Sequence, residues 1–228
     1  MRAPASVPRY GASLPRMAAR PGLPARRFAD TAMSTAHLPR NARVSLLSRI
    51  EPCDHVMHVY ENDGVFLDTL EGFVSGGFRG GETVVVIATA THLYALDYRL
   101  QAAGHDMSAL RLARQYIPMD AHEALHSFLV DGFPDDALFD ESITRIVEAA
   151  QVGGTRVRAF GEMVALLWAD GARGATVRLE QMWNTLCRDK DLSLFCAYPR
   201  DAHGNTDSLG EIRALHSHVI TTGEESAA

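Results

Sequence analysis

The apolar residues of this chain follow two alternating patterns, one typical of strands and the other typical of helices. Nearly continuous short apolar runs predict strands that are covered on both faces. Such runs occupy residues 83–88 and 192–198. Strands are also predicted by the alternating residues 55–60, by the short run 157–160 and, as an edge or short strand, by residues 115–118. Between the runs, apolar residues recur every three or four positions, which predicts amphipathic helices. The helical segments are residues 65–78, 91–103, 108–114, 121–130, 141–151, 163–167 and 174–190, after a leader helix at 42–50.

Strands that alternate with helices predict an α/β fold with three layers, in which a mainly parallel sheet is flanked by helices. The predicted elements fill a single domain, which we place at residues 42–200. Residues 201–228 are expected to form a polar C-terminal tail with a short helix within residues 208–218.

Residues 1–41 differ in composition from the rest of the chain. They are rich in Arg, Pro and Ala and have no periodicity, so we expect a disordered basic leader. Three interpretations stay open for this segment. It resembles a transit peptide loosely, it could be a basic arm that contacts nucleic acid or an acidic partner, or translation begins at Met33 instead. The start at Met33 is the interpretation that we favour.

Charge is divided unevenly along the chain. Residues 1–50 contain nine Arg and one acid, Asp30, whereas the whole chain has a formal net charge of −6. Residues 51–228 therefore carry a net charge of −14. Because nucleic-acid backbones bind basic surfaces, the acidity of this part argues against nucleic acid as a partner.

The spacing of the cysteines and the lengths of the apolar runs predict where in the cell the protein lies. Cys53, Cys187 and Cys196 are widely separated and form no CxxC pair. Neither a disulfide framework nor a zinc knuckle is therefore expected. No apolar run approaches the roughly 20 residues that a membrane helix needs. We expect a cytoplasmic protein with reduced thiols and no membrane partner.

The first predicted strand, turn and helix have the layout of a phosphate-binding unit without its chemistry. The turn that follows residues 55–60 is ENDG (residues 61–64), which contains two acids. The single lysine of the chain, Lys190, lies far away in the sequence. A phosphate-binding loop surrounds the anion with backbone N–H groups and a lysine, and acids would repel it. We therefore expect no nucleotide hydrolysis.

The histidines form no metal-binding motif along the sequence. His55 and His58 are three positions apart on a predicted strand, where side chains alternate, so they are expected on opposite faces. His122 and His126 share a helical face, but an HxxxH pair alone is more often a solvated surface than a metal site. We expect neither a metal nor a cofactor.

Glu162 is the best-placed acid for chemistry. It follows the strand at residues 157–160 and precedes an apolar helix, and ligands of open α/β sheets bind at the carboxyl ends of the strands. Two interpretations stay open: a group that binds a ligand or acts as a base, and an acid that the dipole of the next helix favours. Because no GxSxG motif and no partner group accompany it, we expect no enzyme.

Six short motifs in order resemble those of one known family. They are HxxHVY (55–60), GGE (80–82), MDA (119–121), FGEMV (160–164), LEQMWN (179–184) and CAYP (196–199). Together they resemble the MEDS domain, the methanogen/methylotroph DcmR-type sensory domain, over about residues 54–199. The resemblance implies a RecA/KaiC-like fold without a functional P-loop, which agrees with the ENDG turn.

The resemblance also implies a function and a site. A member of this family is expected to be a bacterial sensory domain that binds a small organic molecule in a cleft at the strand ends. Carried onto this sequence, the ligand-binding residues would be His55, His58, Tyr60, Phe160 and Glu162. Only about thirty residues follow position 199. We therefore expect the signal to pass to a separate partner, such as a histidine kinase or a transcription regulator.

Three functions stay open from the sequence. The first is a non-enzymatic sensory or regulatory domain in signal transduction that binds a small organic ligand. The second is a degenerate nucleotide-binding protein that binds ATP without hydrolysing it. The third is a pure protein-interaction module.

Overall fold

A computed structural model of the protein describes residues 34–37, 39–200 and 209–222. Most of the predicted basic leader at 1–41, including Met33, lies outside the described residues, as does the first part of the predicted tail.

A seven-stranded parallel sheet forms the middle layer of the described structure, in the spatial order β1-β9-β2-β8-β7-β3-β4. Strands β5 and β6 pair separately as a short antiparallel hairpin. In chain order the strands are β1 (Ser34–His37), β2 (His55–Tyr60), β3 (Thr83–Ala88), β4 (Tyr116–Asp120), β5 (Leu129–Val130), β6 (Phe133–Pro134), β7 (Val157–Gly161), β8 (Ser193–Pro199) and β9 (His218–Thr221).

Helices form the two outer layers. In chain order they are α1 (Arg40–Ser48), α2 (Asp63–Arg79), α3 (Ala90–Ala102), α4 (Met107–Leu112), α5 (Ala121–His126), α6 (Asp136–Phe139), α7 (Arg145–Ala150), α8 (Met163–Ala169), α9 (Arg173–Lys190) and α10 (Gly210–Arg213). A π-helical turn, Asp140–Thr144, joins α6 to α7, and a 3-10 turn, Val152–Gly154, follows α7. None of the described helices combines the length and the apolar character that a membrane crossing requires.

Two apolar cores separate the three layers. Helices α1 to α4 pack on one face of the sheet, which we call the α2 face, and α5 to α10 pack on the other, which we call the α9 face. The central strands contribute to both cores because their side chains alternate between the faces. In β3, Val84 and Val86 lie in the α2-face core, and Val85 and Ile87 lie in the α9-face core. The predicted three-layer α/β fold with a parallel sheet is therefore confirmed.

Side-chain caps set where several helices begin. The side chain of Asn62 accepts a hydrogen bond from the N–H of Val65 at the start of α2. Thr89 caps α3 in the same way, so this helix begins at Ala90, one residue before the predicted start at residue 91. Asp120 accepts from two backbone N–H groups at the start of α5. Such caps satisfy N–H groups that a helix leaves unpaired at its first turn.

The helix predicted over residues 121–130 ends early, at His126. The chain then forms the β5–β6 hairpin, which turns at Asp131 (φ 51°) and Gly132 (φ 78°). Two successive positive φ angles are typical of a type I′ turn, for which Asp-Gly is a favoured pair. The prediction was wrong because the Asp-Gly signal competes with the apolar spacing and decides the local structure.

The segment at 201–228, which the sequence indicated as a polar tail with a short helix, adds a strand to the sheet. Its helix is limited to Gly210–Arg213, and β9 then lies between β1 and β2. Val219 and Ile220 of β9 are buried on opposite faces of the sheet. The sheet therefore extends past both limits of the domain that the sequence suggested, since β1 also lies outside 42–200.

Candidate functional site

Five side chains meet at the carboxyl ends of β2, β3 and β7. We call them the strand-end cluster: Tyr60, Asp63, Phe66, His92 and Glu162. Tyr60 ends β2, Asp63 and Phe66 lie in the first turns of α2, His92 lies in the first turn of α3, and Glu162 follows β7 directly. Because all strands of the sheet are parallel, their carboxyl ends lie at one edge, which is where such sheets bind ligands.

Glu162 connects two neighbouring strand ends. Its Oε2 accepts a hydrogen bond from the backbone N–H of Thr89 at 2.7 Å, and its Oε1 lies 2.7 Å from Nδ1 of His92. The carboxylate can only accept, so Nδ1 of His92 donates. Glu162 makes no side-chain hydrogen bond within α8, the helix that it precedes. The acid therefore orients the β3–α3 connection instead of capping its own helix.

His92 has a second ring nitrogen, Nε2, that is not bonded to Glu162 and lies near Asp63. Its side chain is 13% exposed, and Nε2 lies 3.8 Å from Oδ1 of Asp63, which is 73% exposed. The hydrogen bond to Glu162 raises the pKa of His92 above its ordinary value, although burial of the ring opposes this change. The imidazolium form has an N–H at both nitrogens. His92 can therefore donate to Glu162 and to a second group at the same time.

Aromatic rings form the inner wall of the cluster. Phe66 packs against Tyr60 with ring centroids 4.9 Å apart and against His92 at 4.9 Å. Phe160 of β7 lies 5.5 Å from Phe66 on the other side. Burial raises the pKa of the Tyr60 hydroxyl, and the negative charges of Glu162 and Asp63 raise it further. Tyr60 therefore stays a neutral hydroxyl beside two carboxylates.

The start of α2, where a phosphate-binding loop would hold its anion, is occupied by Asn62 and Asp63. Asn62 occupies the cap position and accepts from the N–H of Val65. Asp63 places a carboxylate in the first turn of the helix. An anion at this position would lose the N–H group that Asn62 satisfies and would meet the charge of Asp63.

The structure divides the five residues that the resemblance indicated. His58, Tyr60 and Phe160 lie on the α2 face, with the rings of His58 and Tyr60 6.0 Å apart, and Glu162 lies at the adjoining strand end. His55 is buried on the opposite face beneath α9, where it contacts Asn184 and Glu180. The alternation of side chains along β2 separates it from the other four.

His55 belongs to a second group of polar side chains, the buried donor cluster: His55, Glu180, Cys196 and His216. All four are fully buried or nearly so, and one potential metal-binding atom from each lies within 4.8 Å of the others. His55 Nε2 lies 3.2 Å from Cys196 Sγ and 3.3 Å from Glu180 Oε2. His216 Nε2 lies 3.6 Å from the same carboxylate oxygen. Strand β2, strand β8, helix α9 and the segment before β9 each contribute one member.

Ionisation within this cluster reflects burial and close neighbours. Burial works against ionisation of Glu180, but His216, His55 and the Tyr198 hydroxyl outweigh it and lower the pKa of Glu180 to about 2. Burial lowers the pKa of His216 to about 4, together with the charge of His55. Burial raises the pKa of the Cys196 thiol well above its ordinary value, and Glu180 raises it further. Without a bound cation, the cluster at pH 7 thus contains a carboxylate, a thiol and a neutral His216.

Sequence reasoning did not find this cluster. Its members are at positions 55, 180, 196 and 216 and share no local spacing, so only the fold brings them together. The expectation of no metal considered His55 with His58, and it assigned His216 to the tail. One signal was present in the sequence, since His55, Glu180 and Cys196 each lie in a motif that carries the family resemblance.

A surface groove of about 700 Å³ lies elsewhere, between the α6–α7 segment and α9. Charged side chains such as Asp140, Arg178 and Lys190 contribute to its walls. No member of the strand-end cluster or of the buried donor cluster lines this groove, so it is separate from both.

Comparison with known proteins identifies a family. A family model described as "MEDS: MEthanogen/methylotroph, DcmR Sensory domain" matches residues 54–217, which include every member of both clusters. No curated protein matches the sequence.

Proposed function

Since the chain belongs to the MEDS family of sensory domains, we propose that it senses a small organic molecule at the strand-end cluster. It does so without catalysis and passes the signal to a separate protein, such as a histidine kinase or a transcription regulator. The observation that carries this proposal is the Glu162–His92 pair at the joined ends of β3 and β7. It supports binding because a buried carboxylate orients an imidazole whose other nitrogen lies 3.8 Å from the exposed carboxylate of Asp63.

The chemistry of the cluster favours a hydroxyl group on the ligand. His92 Nε2 and Asp63 Oδ1 are 3.8 Å apart, which is too long for a direct hydrogen bond. A hydroxyl oxygen near both atoms would accept from the imidazole and donate to the carboxylate. The rings of Tyr60, Phe66 and Phe160 would contact the apolar part of the molecule. Two carboxylates make the cluster unfavourable for phosphates and carboxylic acids.

A thermal-shift screen of the full chain tests the proposal. The panel contains small alcohols, amines and carboxylic acids, with ATP as the representative nucleotide. A compound present at 100 times its dissociation constant stabilises the folded state by about 2.7 kcal/mol. For a domain of this size, that energy raises the melting temperature by roughly 5–10 °C. We expect such a shift from a hydroxylated compound and none from carboxylic acids or ATP.

Two variants assign the shift to the strand-end cluster. Glu162→Gln keeps an oxygen that accepts from Thr89 but removes the charge that orients His92, and Asp63→Asn changes the exposed partner of Nε2. We expect each to weaken the ligand-induced shift, and Glu141→Gln, at an exposed site on the α9 side, to leave it unchanged. An undiminished shift in both cluster variants would move the ligand site elsewhere. A shift with ATP alone would favour the degenerate nucleotide-binding protein instead.

A further inference from the structure

The hydrogen bonds of the buried donor cluster fix the proton positions on its two imidazoles. The Nδ2 group of Asn184 donates to the carbonyl of Leu215 at 2.8 Å, which directs Oδ1 of Asn184 toward His55. Nδ1 of His55 lies 3.0 Å from that oxygen and must donate to it. Nδ1 of His216 lies 2.8 Å from the carbonyl of Ile212 and must donate as well. In the neutral rings, both Nε2 atoms therefore present a lone pair.

Both Nε2 atoms face Oε2 of Glu180, which can only accept hydrogen bonds, and the single proton of the Cys196 thiol can satisfy at most one of these acceptors. Oε1 of Glu180 already accepts from the hydroxyl of Tyr198, and Oε2 faces both imidazoles. Nε2 of His216 has no hydrogen-bond partner among the described residues, although it is fully enclosed. A buried polar atom without a hydrogen-bond partner lowers the stability of the folded state. A proton on one ring would satisfy one contact, whereas a single cation in the middle would satisfy all of them.

The distances between the donor atoms agree with tetrahedral coordination. Ligand atoms held about 2.0–2.3 Å from a zinc ion lie roughly 3.3–3.8 Å from one another. His55 Nε2 lies 3.2 Å from Cys196 Sγ and 3.3 Å from Glu180 Oε2. The same oxygen of Glu180 lies 3.6 Å from His216 Nε2 and 3.7 Å from Cys196 Sγ. The remaining pairs lie within 4.8 Å. A small contraction around an ion would complete the tetrahedron.

Charge balance also agrees with a divalent ion. A thiolate from Cys196 and the carboxylate of Glu180 carry two negative charges, and two neutral imidazoles add none. A divalent cation would therefore leave a neutral group in a fully buried place, where uncompensated charge is costly. Two imidazoles, a thiolate and a carboxylate are ligands of Zn²⁺ and of related late first-row metals.

We propose that His55, Glu180, Cys196 and His216 bind one zinc-type divalent cation in a closed four-coordinate site. When the ion binds, the Cys196 thiol releases its proton to solvent and a sulfur–metal bond forms in its place. Because all four positions are taken by protein ligands and the site is enclosed, the ion is structural. It connects the segment before β9 to β2, β8 and α9. This site is separate from the strand-end cluster, and neither proposal depends on the other.

Metal analysis of the full chain is the first test. The protein is produced without a histidine tag, stripped with a chelator, loaded with Zn²⁺ and dialysed, and the zinc content is measured by mass spectrometry. We expect one zinc per chain in the wild type and a loss of retained zinc in Glu180→Gln and His216→Gln. His58→Asn, which changes a buried histidine outside the cluster, should retain one zinc. Retention of zinc by both cluster variants, or its absence from the wild type, would overturn the proposal.

Cobalt spectroscopy provides a second test that does not require the cluster variants to fold. Tetrahedral Co²⁺ with a thiolate ligand absorbs in the visible range and has a sulfur-to-cobalt charge-transfer band in the near ultraviolet. The double variant Cys53→Ser/Cys187→Ser leaves Cys196 as the only cysteine. We expect it to keep both absorptions on titration with one equivalent of Co²⁺. Binding without the charge-transfer band, or no binding, would identify the four side chains as a metal-free hydrogen-bond network.

Discussion

At the scale of single residues, His58 is the least satisfied polar side chain of β2. It is fully buried, and neither ring nitrogen has a hydrogen-bond partner among the described residues. Burial, together with the charge of Arg43, lowers its pKa to about 3. The ring is therefore neutral at pH 7, and it packs near Phe195 with centroids 6.3 Å apart.

This burial predicts a dependence of stability on pH. Unfolded His58 has an ordinary pKa of about 6.5, so below that pH the unfolded chain binds a proton that the folded chain does not bind until about pH 3. The contribution to stability is complete above pH 6.5 and falls as the pH decreases. Between pH 7 and pH 5 the loss amounts to about 2 kcal/mol.

Replacement of His58 by Leu should remove this part of the pH dependence. The variant is expected to be as stable as the wild type or more stable at pH 7, since it loses an unpartnered polar group. Between pH 7 and pH 5 it should lose about 2 kcal/mol less than the wild type, as measured by urea unfolding. Met57→Leu, a buried and non-titrating neighbour, should keep the wild-type slope. Equal slopes for His58→Leu and the wild type would show that His58 binds protons in the folded state.

At the scale of elements, the contact between α1 and α2 depends on two glycines. Gly72 and Gly76 lie one helical turn apart on α2, both buried. A Cβ atom at Gly72 would lie 2.7 Å from Val44 Cγ1, and one at Gly76 would lie 2.6 Å from the Cα of Ser48. The first clash is with the end of a side chain, but the second is with backbone. Position 76 therefore determines how closely the two helices approach.

Gly76→Ala should destabilise the protein although alanine favours helices. Displacement of α1 is expected to cost about 1–3 kcal/mol, which exceeds the gain of up to about 1 kcal/mol from helix propensity. The matched variant is Gly174→Ala in α9, where a Cβ would come no closer than 3.9 Å to Phe133. That variant should be neutral or stabilising by chemical unfolding. Equal effects of the two substitutions would mean that α1 does not pack on Gly76 as described.

The sequence predicts a strand or helix well where the element is long and its apolar pattern lies within the segment itself. The apolar runs of β2, β3, β7 and β8 are of this kind. Strand β9 has only four residues, and its burial depends on pairing with β2, which is 162 positions away in the register Val56 to His218. The sequence lacks a local signal for such pairing. The same reason applies to the buried donor cluster, whereas Glu162 could be selected because its position at a strand end is a local property.

At the scale of the whole molecule, the C-terminal segment is part of the folded domain. Leu209, Ile212, Val219 and Ile220 are all buried. The backbone carbonyl of His55 accepts a hydrogen bond from the N–H of Ser217 at 2.8 Å, and the backbone N–H of His55 donates to the hydroxyl of Ser217 at 3.0 Å. The segment is therefore bound to the centre of the sheet by apolar and polar contacts.

A chain that ends at residue 200, where the sequence suggested the domain limit, should be severely destabilised. The four buried apolar side chains contribute about 6–12 kcal/mol in total, which is comparable with the whole stability of an ordinary domain. A chain that ends at residue 222 keeps them and should unfold like the full chain. Guanidinium unfolding followed by circular dichroism compares the two. Cooperative unfolding of the shorter chain at the same midpoint would show that β9 is dispensable.

The place of β9 in the sheet has a consequence for biosynthesis. Within the described structure, β1 pairs only with β9, and β9 separates it from β2. The ribosome synthesises β1 before the other described strands and β9 after them. The first strand must therefore remain without a neighbour until translation has passed residue 221, and the contact that completes the sheet is among those of longest sequence separation. Such contacts form slowly, so the nascent chain exposes an open edge at β2 during this interval, where a chaperone or a second copy of the chain would find unpaired backbone.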